Sequence, residues 1–271
     1  MDSRLQRRVQ RYGWDKAAAH YDQYWARQLE PAQDRMLALA AIREGERVVD
    51  VACGTGLVTF RAAESTGPRG MVVATDISDA MVEHVTALAA ERGMPYVTAE
   101  RRDAEEIGQS DGSFDVALCA LGLMYVADPL RALEQMHRVL CAEGRLAVVV
   151  WGQRSRCGWA EIFPIVERRV ASEVCPLFFQ LGGGDALQYA LNRTGYSAIA
   201  VERMETTLSY VSGESACGAA FAGGPVALPY SRFDAATRDE VHAEYLASIA
   251  EYRRGDGYEV PGEFVIARAV K

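Results

Sequence analysis

Nothing in this chain of 271 residues approaches the roughly 20 consecutive apolar residues that a bilayer-spanning helix needs. The start, Met1-Asp2-Ser3-Arg4-Leu5-Gln6-Arg7-Arg8, has no apolar run behind it, so a secretory leader is not expected. Six cysteines, at 53, 119, 141, 157, 175 and 217, lack the paired short spacing of a metal site and form no secretory framework in a chain this long. Reduced thiols and a cytoplasmic location are the expectation, with no metal. An excess of basic residues is also missing: 29 Lys and Arg stand against 37 Asp and Glu, a formal net charge of −8. That balance argues against a nucleic acid or an anionic membrane as the main partner, since both recruit surplus Lys and Arg. No internal repeat and no low-complexity tract is present.

What the chain does have is a globular composition, 49% hydrophobic and 24% charged, and one informative segment. Arg47-Val48-Val49-Asp50-Val51-Ala52-Cys53-Gly54-Thr55-Gly56 joins a short buried strand to a glycine loop, and a helix is expected from Leu57 onward. A helix N-terminus at such a turn offers unpaired N–H groups to an anionic ligand. A dinucleotide fingerprint would need a third glycine at position 59, where Thr59 stands; its branched side chain would crowd the helix against the sheet. The NAD reading weakens accordingly. What remains is an acidic residue followed by small residues at alternate positions: Asp50, Ala52, Gly54 and Gly56.

From residue 45 to about 151, short apolar runs alternate with helical ones, which predicts βαβ units and a parallel sheet. Strands are expected over 71–75, 96–100, 114–119 and 145–151. Helices are expected from Ser78 or Asp79 to Gly93 and from Asp128-Pro129 to about Cys141, each opened by a side chain that can cap first-turn N–H groups. After Trp151 the expectation is a helix over 157–175, another over 185–194, a long strand over 198–210, a helix from 234 to about 254 and a closing strand over 263–270. Trp14, Ala17, Ala18, Tyr21 and Trp25 make an aromatic-rich helical stripe that either packs on the sheet's helices or serves as a lid; the two roles are compatible.

Two further carboxylates are placed by this pattern. Asp76 ends the second strand, where the α/β plan puts a carboxylate on ribose hydroxyls and where its charge would repel a 2′-phosphate; the bland alternative is a helix cap. Asp103, followed by Ala104 beyond the third strand, is suited to accept from an adenine amine, or is simply solvated.

Together these positions resemble the class I S-adenosylmethionine-dependent methyltransferases, in particular the small-molecule enzymes related to ubiquinone/menaquinone biosynthesis (the "type 11" group). The ordered set comprises Asp50 to Gly56, Ala74-Thr75-Asp76-Ile77-Ser78 with Met81, Arg102-Asp103-Ala104-Glu105, Ser113-Phe114-Asp115 and Met136-His137-Arg138-Val139-Leu140 before Gly144-Arg145-Leu146. The resemblance implies an α/β, Rossmann-like doubly wound sheet of seven strands with the last antiparallel and inserted beside the fifth, plus a helical cap. It implies S-adenosyl-L-methionine as cofactor and S-adenosyl-L-homocysteine as product. The methionine part would lie at Gly54, Thr55 and Gly56, with Asp50 and Ala52 beside it, and the ribose on Asp76. The adenine would lie near Ile77, Met81, Asp103 and Ala104, and the fourth-strand end at Cys119, Ala120 and Leu121 beneath the methyl centre.

Two departures stand out. Ala52 replaces the family's first glycine, which is acceptable if its φ is negative and nothing presses on its Cβ. Cys141-Ala142-Glu143-Gly144 replaces a turn where Pro and two glycines are common, a change expected to stay local.

The organisation expected is an N-terminal helical lid over 1–35, a cofactor-binding core over 36–151, cap helices over 152–185, and over 186–271 the rest of the sheet with a cap insertion at about 209–255. The chemistry expected is in-line methyl transfer to a small-molecule acceptor, driven by proximity and desolvation with no compulsory base. Tyr21 would lie beside the sulfonium or shape the acceptor pocket. His20, next to Tyr21, is the one weak base candidate, and His137 reads as structural. Cys53 and Cys119 read as small buried thiols. Rival functions are non-methyl-transfer chemistry with the same cofactor, or a non-catalytic binding module on the same fold; a homodimer is left open.

Overall fold

β-branched residues build the centre of the molecule. In the computed structural model, which describes residues 3–170 and 177–271, strand β1 (Arg47–Val51) has Val48, Val49, Asp50 and Val51 buried. β2 (Met71–Asp76) and β4 (Phe114–Ala120) flank it in parallel, β3 (Val97–Arg101) extends the sheet beyond β2, and β5 (Leu140–Trp151) pairs with β4. β6 (Ser197–Tyr210) and β8 (Gly257–Val270) complete the order β3-β2-β1-β4-β5-β8-β6, with β8 antiparallel beside β5 as expected. The two-residue β7 (Arg253–Arg254) adds an eighth strand on β8.

Because β1 connects to β2 on one side and has β4 on the other, the sheet has a topological switch point at β1, and the strand carboxyl ends there open a crevice. The helices that cover the sheet start where the local chemistry allows. α2 (Thr59–Thr66) begins two residues later than Leu57. The Ser78 hydroxyl accepts from the Met81 N–H to open α3 (Asp79–Glu91), and Asp128 accepts from the Arg131 N–H ahead of Pro129 to open α4 (Pro129–Val139).

α1 (Ser3–Ala40) is one unbroken helix of 38 residues, running past residue 35. Its C-terminal half buries Leu29, Ala32, Met36 and Ala40, and the helix packs against β5, β8 and α3. The helix expected over 157–175 is shorter: α5 spans Ile162–Glu167, flanked by turns, and Ala171 to Pro176, with Cys175, lies outside the described residues. α6 (Ala186–Arg193) leads into β6. Between β6 and β8 the chain leaves the sheet to form α7 (Gly213–Cys217), a wide turn over 218–222, α8 (Ala227–Tyr230) and α9 (Ala235–Ser248). α9 stops short of 254 because residues 250–252 tighten into a 3-10 turn that feeds β7. Arg168 and Arg169 both pair with Glu244, tying the end of α5 to α9. Among the described residues, no helix is long and apolar enough to cross a membrane.

Candidate active site

The loop after β1 owes its shape to left-handed backbone at alternate positions. Gly54 has φ +55° and Gly56 φ +89°, and Ala52 shares the same region at φ +58°. The expectation of a negative φ at Ala52 is therefore corrected: the loop keeps its left-handed turn although an L side chain occupies it, at a local cost of about 1–2 kcal/mol. Room for that Cβ comes from the facing strand end, because Gly122, after β4, has no side chain to meet it. Glu143 stands at φ +62°, so the other departure also falls on left-handed backbone. Gly56 needs its hydrogen for a second reason: an added Cβ would sit 2.8 Å from the Phe60 ring and 3.1 Å from Val85. At Gly54, by contrast, an added Cβ would meet nothing within 4 Å, so this backbone faces open space.

Three acidic side chains gather around the loop and the neighbouring strand ends. Asp50 is 1% exposed; its Oδ2 accepts from the Thr59 hydroxyl at 2.6 Å, and its Oδ1 has no partner among the described residues. Burial pushes its carboxyl up to about 7 against the opposing Thr59 hydrogen bond, with the charge of Asp76 adding to the rise. Thr59, read in the sequence only as an obstacle to a third glycine, is thus the residue that holds Asp50. Asp76 is also buried; its Oδ2 accepts from the Gly54 N–H at 2.9 Å and its Oδ1 from the Ser78 N–H at 2.9 Å. Burial raises its carboxyl too, and those backbone donors oppose the rise. Asp103 accepts from the Glu105 N–H at 2.9 Å.

The first turns of α1 cross these strand ends. Arg7 pairs with Asp103 at 2.7 Å and also with Glu105, while Arg11 pairs with Asp79. The Asp15 carboxylate accepts from the Ser78 hydroxyl at 2.6 Å, Asp22 accepts from the Thr55 hydroxyl, and the Gln6 amide donates to the Val126 carbonyl at 3.4 Å. Beneath this helix lies a cleft of about 720 Å³, lined by Tyr21 and Trp14 from α1 and by the ends of β1 to β4. A second cavity of about 450 Å³ continues from it, sharing Trp14, Tyr21, Leu121 and Tyr125.

The family model described as "Methyltransferase domain" matches residues 42–159, which hold the loop, Asp50, Asp76 and Asp103. Nocamycin O-methyltransferase of Saccharothrix syringae is 35% identical over 135 residues, covering 50% of this chain and 48% of that protein. Aklanonic acid methyltransferase of Streptomyces sp. strain C5 is 31% identical over 49% of this chain and 61% of its own length. Demethylmenaquinone methyltransferase of Listeria monocytogenes serotype 4a is 32% identical over 47% of this chain and 54% of its own. The match therefore spans 48% to 61% of these relatives' length. Among solved structures, the YcgJ protein of Bacillus subtilis aligns with a TM-score of 0.62 at 17% identity, covering 89% of this chain and 98% of that one. Phosphoethanolamine N-methyltransferase 2 of Haemonchus contortus, in complex with S-adenosyl-L-methionine, aligns at 0.63 and 16% identity over 95% of this chain and 57% of that one. At these identities the two structures establish the shared fold.

Within residues 42–159, the cleft is lined by Ala52, Gly54, Asp76, Ile77, Met81, Asp103, Ala104 and Ala120, joined by Tyr21 from α1. Asp50, Thr55, Gly56 and Cys119 are buried and do not line it; they lie behind its wall. Burial lifts the Cys119 thiol to about 12, which keeps it protonated. His20 is exposed and lines neither cavity. His137 packs edge-on against Tyr196, away from the cleft. Arg7, Gln10, Glu105, Gly122 and Tyr125 also line the cleft and were not expected from the sequence, whereas Leu121, expected beneath the methyl centre, does line it. Glu105 alone carried a signal, since it stands two residues after Asp103 in the same motif. The Arg7 contact joins segments nearly a hundred residues apart and leaves no local trace.

Proposed function

We propose that the chain is an S-adenosyl-L-methionine-dependent methyltransferase that acts on a small-molecule acceptor. The observation that carries this reading is the convergence, within residues 42–159, of the open Gly54 backbone, Asp76 and Asp103 on one cleft that continues into a second cavity.

The residues present fit the donor molecule. Gly54 leaves room for close backbone approach, Asp50 keeps a buried oxygen next to the loop with no partner among the described residues, and Asp76 brings an acceptor carboxylate to the cleft wall. On this reading Ala52 and Gly54 hold the methionine part and Asp76 the ribose. Ile77, Met81, Asp103 and Ala104 hold the adenine, and Ala120 and Leu121 lie beneath the reacting end. Thr55, Gly56, Asp50 and Cys119 shape the loop from behind. Asp103 already holds Arg7 and the Glu105 N–H, yet two carboxylate oxygens offer about four lone-pair sites, enough for one more donor.

When bound, the donor supplies a methyl group on an electrophilic sulfonium. The protein's part is to orient and to exclude water: α1 covers the cleft, and the rings of Trp14 and Tyr21 offer faces that suit a cation. Burial and the carboxylates of Asp22 and Asp76 push the Tyr21 phenol well up, so it stays neutral. No base is assigned, and His20 is not one of the cleft residues. In domain terms, the first part of α1 is the lid, the strands and their helices are the donor-binding core, and α5 with the insertion between β6 and β8 is the cap.

Isothermal titration of the folded protein with S-adenosyl-L-homocysteine tests the reading. Binding is expected, with Asp76→Ala weakening it by about 1–3 kcal/mol through loss of charge-assisted hydrogen bonds. Absence of binding in protein verified as folded would overturn it, and unchanged affinity in Asp76→Ala would remove Asp76 from the site.

A further inference from the structure

β6 is the outer strand of the sheet: it pairs with β8 on one side and, among the described residues, with no strand on the other. Its ladder to β8 runs without a shift from Ala200 to Tyr210. In an antiparallel ladder, the two residues of a facing pair either both bond across or both point away. The carbonyls of Pro261 and Glu263 accept from Gly158 at 2.9 Å and Gly152 at 2.6 Å, on the side away from β6. Their facing residues, Thr207 and Glu205, therefore turn their own N–H and C=O groups outward, and with a period of two so do Arg203 and Val201. Ser209 continues the series. There the Ser209 N–H donates to the Gln28 Oε1 at 3.1 Å, and the Gln28 Nε2 donates to the Ser209 carbonyl at 2.6 Å. A side-chain amide from α1 stands in for a neighbouring strand.

The open stretch is bounded at both ends. Gln28 closes it at Ser209, while before Ala200 the ladder shifts and Ala198 stands on left-handed backbone at φ +46°. In between, no hydrogen bond from another described segment reaches the outward backbone of Val201, Arg203, Glu205 and Thr207. Free edges are commonly defended by Lys, Pro or a bulge. Residues 201–207, Val-Glu-Arg-Met-Glu-Thr-Thr, contain no Lys and no Pro, and their ladder has no bulge.

Charge decides which strand fits. Two copies related by a two-fold axis must set outward residues opposite outward residues, so the axis passes through a residue. Axes at Glu202, Arg203 or Glu205 put a charged residue against its own copy, which is destabilising. An axis at Val201 carries the pairing into the shifted segment before Ala200, and one at Thr206 carries it into Ser209, which Gln28 has closed. An axis at Met204 sets Arg203 opposite Glu205 twice, Val201 opposite Thr207 twice, and Met204 against itself. Glu205 suits this pairing, because its side chain is 84% exposed and lies 3.7 Å from Arg156, itself 60% exposed.

We infer that the open edge of β6 is the docking surface for a second copy of this chain, giving a two-fold dimer whose sheets join through antiparallel β6 strands centred on Met204. About eight backbone hydrogen bonds close the edge. Arg203 keeps Glu263 at 2.9 Å on its own chain and gains the partner's Glu205 alongside. Both clefts stay open in this arrangement, since each is lined by the ends of β1 to β4, across β5 and β8 from the joined edge.

Sedimentation velocity at micromolar concentration is expected to give twice the mass of the chain. Met204→Cys should form a disulfide-linked dimer under mild oxidation, because residues that face each other across the axis lie within disulfide reach. Thr206→Cys should not, since its copy lies four residues further along, about 13 Å away. Glu205→Arg changes an exposed side chain and sets Arg opposite Arg twice, so the dimer should weaken about tenfold while circular dichroism shows the fold intact. A single-chain mass for the parent protein would overturn the inference. So would cross-linking of Thr206→Cys in preference to Met204→Cys, or an undiminished dimer in Glu205→Arg.

Discussion

The cleft along the strand ends and the aromatic cavity behind it meet at Trp14, Tyr21, Leu121 and Tyr125, but they are built from different materials. Apart from its α1 residues, the cleft is drawn from positions 52–126, and its character comes from left-handed backbone and from carboxylates held by N–H groups. The cavity takes its walls from α1, the end of β5, the turn before α5, Phe178 and the insertion that holds α9, and its character comes from side-chain rings. One region is a property of local chain geometry, the other of tertiary assembly. A site of the first kind tolerates little change at its glycines and carboxylates, whereas a site of the second kind can be re-lined residue by residue without disturbing the turn.

The sharpest way to break this contrast is to attack the loop's geometry. Gly56→Ala puts a Cβ on left-handed backbone against Phe60 and Val85, and should cost about 2–4 kcal/mol in urea unfolding. A loss below about 0.5 kcal/mol, the scale of an ordinary surface change, would show that the loop is not geometrically constrained. Next comes Asp50. Its folded carboxyl, near 7, lies above the ordinary value of 3.8, so its contribution to stability is fully present below about pH 4 and is lost as pH rises through about 7. Asp50→Asn removes that loss, and the melting temperature of the variant relative to the parent should climb between pH 5 and pH 8; a flat difference would contradict the buried, titrating carboxylate. The smallest effect is a gain: Ala52→Gly relieves the positive φ and should stabilise by about 1 kcal/mol, measured in the same unfolding assay. A loss there would mean that the alanine methyl contributes packing against the β4 end that outweighs its strain.

Much of the cleft was legible because strand, turn and capping chemistry are local. The alternate small residues at 52, 54 and 56 mark three left-handed positions, Ser78 and Asp128 cap the helices they precede, and the closing strand does slot in beside β5. The sign of φ at Ala52 was not legible, since an alanine ordinarily avoids that region and only the empty place at Gly122 makes it tolerable. Nor was the Thr59 hydroxyl on Asp50, a contact nine residues apart across a strand-to-helix turn. Arg7, Arg11 and Gln6 reach strand ends through folding of the whole chain, so their pattern on α1 reads only as a polar helix face. The cavity's rings were visible as helical stripes, yet helical spacing alone does not tell a core ring from one that faces a hollow. Within the described part of the helix expected over 157–175, only α5 is helical, with Pro164 inside it and Gly158 packed against Tyr252 and Pro261 ahead of it.

The ties of α1 to Asp79, Asp103 and Glu105 all fall in its first three turns, whereas its second half is buried against the sheet. Helix ends fray far faster than helix centres, and partly exposed ion pairs loosen as salt is added. Added salt is therefore expected to loosen the first turns of α1 over the cleft before the second half of the helix, seen as faster amide exchange at residues 7–11 than at residues 29–40.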